Sequence, residues 1–582
     1  MLHRSHRLLT ILALLSATAQ HVAAADQPNA GHAVSHLRRP VALVTPDGGH
    51  HFLVANRDSG TVSRVDIKTG RVTAEIRIGH RLSDLTLTPD GQHALVADAG
   101  RHQLVVCRLV DGQPAPTLRI PLSIEPTRLA IDTDGRRVAV SSRWSRRLVL
   151  LDLPITQASS PRQVTLPMQG RHLLWLRQPD TLVVADAFGG SLALVDAVAG
   201  RVLHSHRLPA HNIGGLALDP GGRHLVVSHQ VLNSAARTTD NDVLWGLLIT
   251  NNLRRIPIPE LLSRLPLAMR RHSVVMLGQA GHAAGDPAGL AIRSNGSFVV
   301  ALSGVNQVGI GRPEKFDLTR IPTGARPTAI WLSADQRRAV VTSTLDDQLN
   351  LLDLDKATSL KSISLGPRPE STSYDRGERL FFDAGLSRDG WMSCHSCHTD
   401  GHSNGQLVDT LGDGHYGNAK RVLSLLGTLD TRPWAWDGRM GTLRDQVFHS
   451  VSTTMRGPRP TQSQVRDLVA FLGGLQQPAP GHTATTRRQQ QSVDRGRQLF
   501  TSLDCQRCHT PPLYTSPDSY DVGLGRSKTN PPSLRGVAQR RRLFHDNRAK
   551  SIEEVLRRFQ HQLPRKISPE EQRDLVRFLQ SL

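Results

Sequence analysis

The sequence predicts a multidomain β + α protein: a repetitive all-β region over residues 38–367, then a duplicated, mainly α-helical region. Three observations carry this reading. Turn signals recur at near-constant spacing through the first two-thirds, hydrophobic periodicity changes near residue 370, and landmarks of the last third return there in the same order. A chain of 582 residues is too long for one core, and 38% hydrophobic with 21% charged residues is a globular composition.

Residues 1–25 read as a signal peptide. Arg4 and Arg7 precede the apolar run Leu8 to Leu15, and Ala23-Ala24-Ala25 offers small residues for cleavage. No later segment reaches the roughly 18 apolar residues of a membrane helix, so no transmembrane segment is expected, and the predicted location is the periplasm. The formal charge is +21, with the basic excess spread along the chain. A nucleic-acid surface would concentrate it, so no nucleic-acid partner is expected; a diffuse positive field suits an acidic redox protein or an anionic surface.

In the β region, turns recur at Asp47-Gly48, Asp90-Gly91, Asp134-Gly135, Asp180, Asp219-Pro220-Gly221, Asn295-Gly296 and Asp335. Apolar strands such as Ala94 to Ala97 and Leu349 to Leu352 follow. A repeat of about 40 to 45 residues with several strands per unit marks a β-propeller, and seven turns imply seven blades. The one long gap, 76 residues between Asp219 and Asn295, predicts an insertion at about 229–284 that caps the propeller or meets the helical region. Val54 to Val62 (VANRDSGTV) resembles the YVTN propeller repeat, which implies fold and leaves function open.

Past residue 370, Asp375-Arg376-Gly377 returns as Asp494-Arg495-Gly496, Asp437-Gly438-Arg439 as Asp546-Asn547-Arg548, and Arg466-Asp467-Leu468 as Arg573-Asp574-Leu575. Two related domains are predicted, 371–476 and 492–582, joined by a Pro/Gln-rich linker. Each carries Cys-x-x-Cys-His: Cys394, Cys397 and His398 in the first, Cys505, Cys508 and His509 in the second. In this motif the thiols bond the haem vinyl groups and the adjacent histidine is the proximal iron ligand. Paired Cys-x-x-Cys is also a zinc spacing, but each pair here has its own histidine directly after the second cysteine. Two covalently bound haem c groups are the predicted cofactors. The fifth cysteine, Cys107, reads as a buried strand thiol.

These motifs, with Gly377 to Gly390 (GERLFFDAGLSRDG), Trp436-Asp437-Gly438-Arg439 and Ser533 to Val537, resemble the bacterial di-haem cytochrome c peroxidase superfamily, which includes the methylamine-utilisation di-haem enzyme. The resemblance implies two mainly α-helical c-type cytochrome domains. It also implies Trp436 as the inter-haem aromatic, Gln446 as a peroxide-pocket glutamine and His415 as distal iron ligand of the first haem, with His402, His449 and His561 as competitors. Three departures follow. The family's acidic residue falls near Thr453-Thr454-Met455-Arg456, where no carboxylate stands. His545 matches a family histidine, yet Phe559 occupies the place of the second haem's sixth ligand. The inter-domain calcium is doubtful, since Arg421 and Arg540-Arg541-Arg542 stand where it would bind. The implied function is a periplasmic di-haem oxidoreductase using hydrogen peroxide and an electron-donor cytochrome or other redox protein. The alternative is a non-peroxidatic electron-transfer or redox-sensing cytochrome with the propeller as docking platform.

Overall fold

A computed structural model describes residues 35–266, 272–315, 317–481, 483–526 and 528–582. The signal-peptide expectation for residues 1–25 lies outside them. Seven four-stranded antiparallel meanders follow one another, over 40–77, 82–121, 126–165, 170–207, 211–276, 287–322 and 327–364. The first strand of each is innermost and lies beside the first strand of the next, and blade seven (Pro327–Leu332) meets blade one (Pro40–Val44) to close the ring. Every blade is flanked by two others, so its middle strands are buried on both faces. This is why His93–Asp98 reads as an apolar run instead of an alternation. Gly91 turns the second blade at φ +67°, with Asp90 accepting from the backbone N–H of Gln92.

All four strands of each blade are contiguous in sequence, so no shared strand locks the ring. Polar ties do so instead. The fully buried Asp347 accepts from the backbone N–H groups of Arg38 and Arg39 at 3.2 and 2.6 Å, and Thr344 donates to the Pro40 carbonyl at 2.8 Å.

The interval read as one insertion, 229–284, divides differently. Three strands of blade five run through it: His224–Leu232, Ile249–Pro257 and Ser273–Met276. The added residues form two loops carrying short helices, α1 (Asp240–Leu244) and α2 (Ile258–Leu262). The α1 loop meets the first cytochrome domain. Trp391 donates to the Leu244 carbonyl at 3.1 Å, and its ring covers Gly246, where any Cβ would collide with the indole.

In the C-terminal region, α3 (Ser373–Phe381), α4 (Cys394–Cys397), α5 (Leu443–His449) and α6 (Gln462–Gly474) precede α7 (Arg487–Ser502), α8 (Ile552–Arg557) and α9 (Pro569–Gln580). The repeated landmarks are helix crossings. Gly377 of α3 rests on the Asp467 backbone of α6 while Arg376 binds the Asp467 carboxylate at 2.8 Å. Gly496 of α7 rests on the Asp574 backbone of α9, with Arg495 and Asp574 paired at 2.6 Å. A Cβ at either glycine would drive the helices apart, and the arginine neutralises the carboxylate beside the crossing.

The first domain sits on the propeller's central opening. Glu378 pairs with Arg39 and Arg57 at 2.9 and 2.7 Å; burial opposes its ionisation, but the two guanidinium charges hold its pKa at about 2. Asp400 pairs with Arg171 and Arg143 at 2.5 and 3.2 Å. Among the described residues no helix is long and apolar enough to cross a membrane.

Candidate active site

The first Cys-x-x-Cys-His is a single helical turn, α4, whose base is held by the propeller. Asp286 of blade six accepts from Ser393 and Ser396 at 2.5 and 2.7 Å, and Gln230 donates to Ser396 at 3.2 Å. His398 donates from Nδ1 to the Leu423 carbonyl at 2.8 Å, which fixes the tautomer and leaves Nε2 as the electron-pair donor. Burial lowers its pKa to about 4, against the pull of that hydrogen bond, so the imidazole is neutral as an iron ligand must be. Burial pushes the Cys394 and Cys397 thiols up to about 12.

Cys394, Cys397 and His398 open into a cavity of about 300 Å³ walled by Leu443, Val447, Val451 and Leu468. The helix α5 turns one face into it, bringing Gln446, His449 and Ser450 together by their i, i+3, i+4 spacing. Gln446 donates from Nε2 to Ser450 at 3.1 Å, and among the described residues its buried Oε1 has no partner. The buried Nε2 of His449 has none among them either, while its Nδ1 lies 3.4 Å from the Thr453 hydroxyl. Burial, with help from the Arg439 charge, lowers the His449 pKa. The helix runs into a π-turn at Ser450–Thr454, whose Thr454, with the following Met455, completes the wall. At the inter-domain end the lining is basic, with Arg421, Arg526, Arg535 and Arg540. A porphyrin needs an apolar slot, an imidazole free at one nitrogen and cations for two propionates; this cavity offers all three.

His415 is exposed on its loop and is not among the cavity-lining residues. The loop presents Asp413 instead, where burial is outweighed by hydrogen bonds from Lys420 and Arg526 that hold its pKa at about 2. His402 is buried between Trp144 and Phe188 of the propeller, with its ring nitrogens near Ser424 and the Gln539 carbonyl. His449, a weaker competitor in the sequence, lines the cavity because its i+3 spacing from Gln446 puts both on one face of α5.

Trp436 lies between the domains. Its indole donates to the Arg421 carbonyl at 2.8 Å and its ring meets His545 edge-on at 6.2 Å. The surrounding turn is duplicated. Bridges Trp434↔Met440 and Leu543↔Ala549 enclose Trp436 and His545, each preceded by a residue at positive φ, Ala435 and Phe544. The Asn530 N–H donates to the Trp436 carbonyl at 2.8 Å, and the Arg421 N–H to the His545 carbonyl at 2.6 Å. His545 is therefore the internal counterpart of Trp436, and Asn530 that of Arg421. The Arg421 guanidinium stands over the Trp436 ring and donates to the Phe544 carbonyl at 3.0 Å. A cation fills the place that raised the question of calcium.

In the second motif, His509 donates from Nδ1 to the Tyr514 carbonyl at 3.2 Å, and burial lowers its pKa to about 4. Its helix α8 begins as α5 does: Thr442 and Ser551 cap through the N–H groups of Asp445 and Glu554. From that common start, Gln446, His449 and Ser450 correspond to Val555, Arg558 and Phe559. Arg558 is exposed and pairs with Glu554 at 2.8 Å, while Val555 and Phe559 join the apolar core that includes Cys505. His561 meets the Phe544 ring at 5.2 Å and lies within electrostatic range of His509.

Residues 372–473 match the family model described as di-haem cytochrome c peroxidase. The methylamine utilization protein MauG of Methylophilus methylotrophus is 24% identical over 271 residues, covering 35% of this chain and 81% of that protein. The protein of the same name from Methylorubrum extorquens is 26% identical over 291 residues, covering 37% and 82%. Among solved structures, Kuenenia stuttgartiensis hydrazine synthase aligns with TM-score 0.48 at 19% identity, over 56% of this chain and 99% of that one. These matches make the C-terminal region similar to di-haem c-type oxidoreductases. The chain carries a domain of the di-haem cytochrome c peroxidase family behind a seven-bladed β-propeller, and its implied cofactors are haem c groups.

Proposed function

We propose that the protein is a periplasmic peroxidase-type enzyme in which the first haem site is the reactive one and the second passes electrons to it through the Trp436–His545 contact. The observation that supports this most is the polar pair His449 and Gln446 lining the cavity of Cys394, Cys397 and His398, whose buried Nε2 and Oε1 atoms have no hydrogen-bond partner among the described residues. Haem bound there through both thiols and His398 supplies the redox-active iron, and Cys505, Cys508 and His509 hold the second group. Reduction of hydrogen peroxide consumes two electrons and two protons to give two waters, so the protein must deliver both. Neutral His449 can take a proton at Nε2 from one peroxide oxygen and return it to the other, work that contributes about 10²- to 10⁴-fold in comparable sites. Gln446 can accept a hydrogen bond from peroxide at Oε1. Asp413 is fixed as an ion-paired carboxylate and takes no part in proton delivery. The electrons come from a partner redox protein, toward which the +21 charge would steer an acidic surface.

The test is turnover of peroxide with a reduced cytochrome or dye. Catalysis with a spectral change at one haem is expected; no turnover and no change at either haem contradicts the proposal. The stretch Thr453 to Arg456, which lacks a carboxylate, favours a second reading: an electron-transfer cytochrome docked through its propeller. That reading requires electron exchange with a captured redox partner and no peroxide chemistry.

A further inference from the structure

A second cavity, of about 440 Å³, lies where blades three and four of the propeller meet the second cytochrome domain and the loop 404–406 of the first. Six cations line it: Arg146 and Arg207 from the propeller, and Arg540, Arg541, Arg542 and Lys550 from the cytochrome domain. Their neutralisation is incomplete. Arg541 pairs with the buried Asp186, Arg540 donates to the Ser533 and Arg535 carbonyls, and Arg146 donates to the Ala538 carbonyl. Among the described residues the side chains of Arg207, Arg542 and Lys550 meet no carboxylate within ion-pair distance, and Glu553 is the only acid in the lining. Burial and the mutual repulsion of these groups lower the pKa values of Arg146 and Arg207. Repulsion of this kind costs folding free energy unless an anion offsets it.

A second observation is independent of charge. Asn404, only 2% exposed, lines the same cavity, and among the described residues its Nδ2 has no hydrogen-bond partner although its Oδ1 accepts from the Gln406 N–H at 3.0 Å. The cavity thus presents an unused neutral donor among under-neutralised guanidinium groups, a set that matches the several acceptor oxygens of one oxyanion.

We propose that this cavity binds a multivalent oxyanion of the phosphate type, which ties the propeller to the second cytochrome domain. The arginines come from both units, so anion occupancy and domain docking are linked by mass action. The site is separate from the proposed peroxide cavity; Arg540 stands between the two.

Calorimetric titration of the full-length di-haem protein with inorganic phosphate, against chloride at equal ionic strength, tests this. Saturable binding of one phosphate per chain is expected. Arg207→Gln with Arg542→Gln should weaken it about tenfold or more, and Lys550→Gln, a change at an exposed side chain, by a smaller factor. Arg71→Gln, on the outer strand of blade one, should leave it unchanged. Absence of saturable binding, or undiminished binding in the double variant, overturns the proposal. A double variant with an altered second-haem spectrum and a wild type that takes up no phosphate also overturns it, assigning the cluster to a haem carboxylate.

Discussion

In the first cytochrome domain Arg376, Gly377 and Asp467 make the helix crossing; in the second, Arg495, Gly496 and Asp574 make the same one. Both domains anchor the motif histidine through Nδ1 to a backbone carbonyl, and both place a ring from one duplicated turn at their shared boundary. They diverge on one helix face. Along α5 and its C-terminal end that face carries Gln446, His449 and Ser450, and along α8 and its C-terminal end Val555, Arg558 and Phe559. Under the proposed function, the parts common to both domains build the haem cradle, and three side chains set apart the domain that moves a proton.

Removing a cradle histidine is the largest intervention. His398→Ala should abolish peroxide turnover and perturb one haem, whereas His509→Ala should leave peroxide reactivity at the first haem and stop its re-reduction; haem quantification with stopped-flow spectra separates the two. Next comes the differing face itself. His449→Leu should slow the reaction with peroxide by about 10²- to 10⁴-fold, and Arg558→Leu, its counterpart, should leave the rate unchanged.

A pH effect of intermediate size bears on how the first domain sits on the propeller. His211 and His229 are wholly buried there, and burial lowers their pKa values to about 4 and about 3. The unfolded chain protonates histidine near 6.5, so it binds more protons than the fold below that pH. Stability is therefore full above pH 6.5 and falls as pH drops toward 4 and 3, by on the order of 3 kcal/mol for His211. Thermal unfolding between pH 7.5 and 4.5 should show the decline, and His211→Gln should flatten it. The smallest effects are at the shared crossing: Gly377→Ala and Gly496→Ala should each cost about 1–3 kcal/mol, by similar amounts. Markedly unequal costs would break the symmetry of the frame.

The frame was legible in the sequence because its determinants are local or repeated. The Asp-Gly turns at Asp47, Asp90 and Asp134 each join the first two strands of a blade, and Arg-Gly against Arg-Asp repeats because one crossing is built twice. Blade five was obscured because the loop from Asn233 to Leu248 separates two of its strands, and spacing alone cannot distinguish an inserted domain from a lengthened hairpin. The site was legible as far as its motifs reach. His398, Gln446 and Trp436 meet the first cavity, but His415 lies exposed. Its placement by resemblance depended on a loop, whose direction is set by long-range contacts such as Asp413 with Arg526. His449 sits on a helix, where i+3 from Gln446 fixes its direction. The basic cavity had no sequence signature, since Arg207 and Arg542 are brought together only by docking of the two units.

The central claim is that the two haem sites are unequal, with reactivity toward peroxide confined to the first. Electron paramagnetic resonance of the ferric protein, before and after peroxide, in wild type and His449→Leu, addresses it most directly. The account predicts two distinct ferric signals, of which one changes with peroxide and is the one altered by His449→Leu. A peroxide-induced change that is carried by the other signal, or is indifferent to His449→Leu, would contradict it.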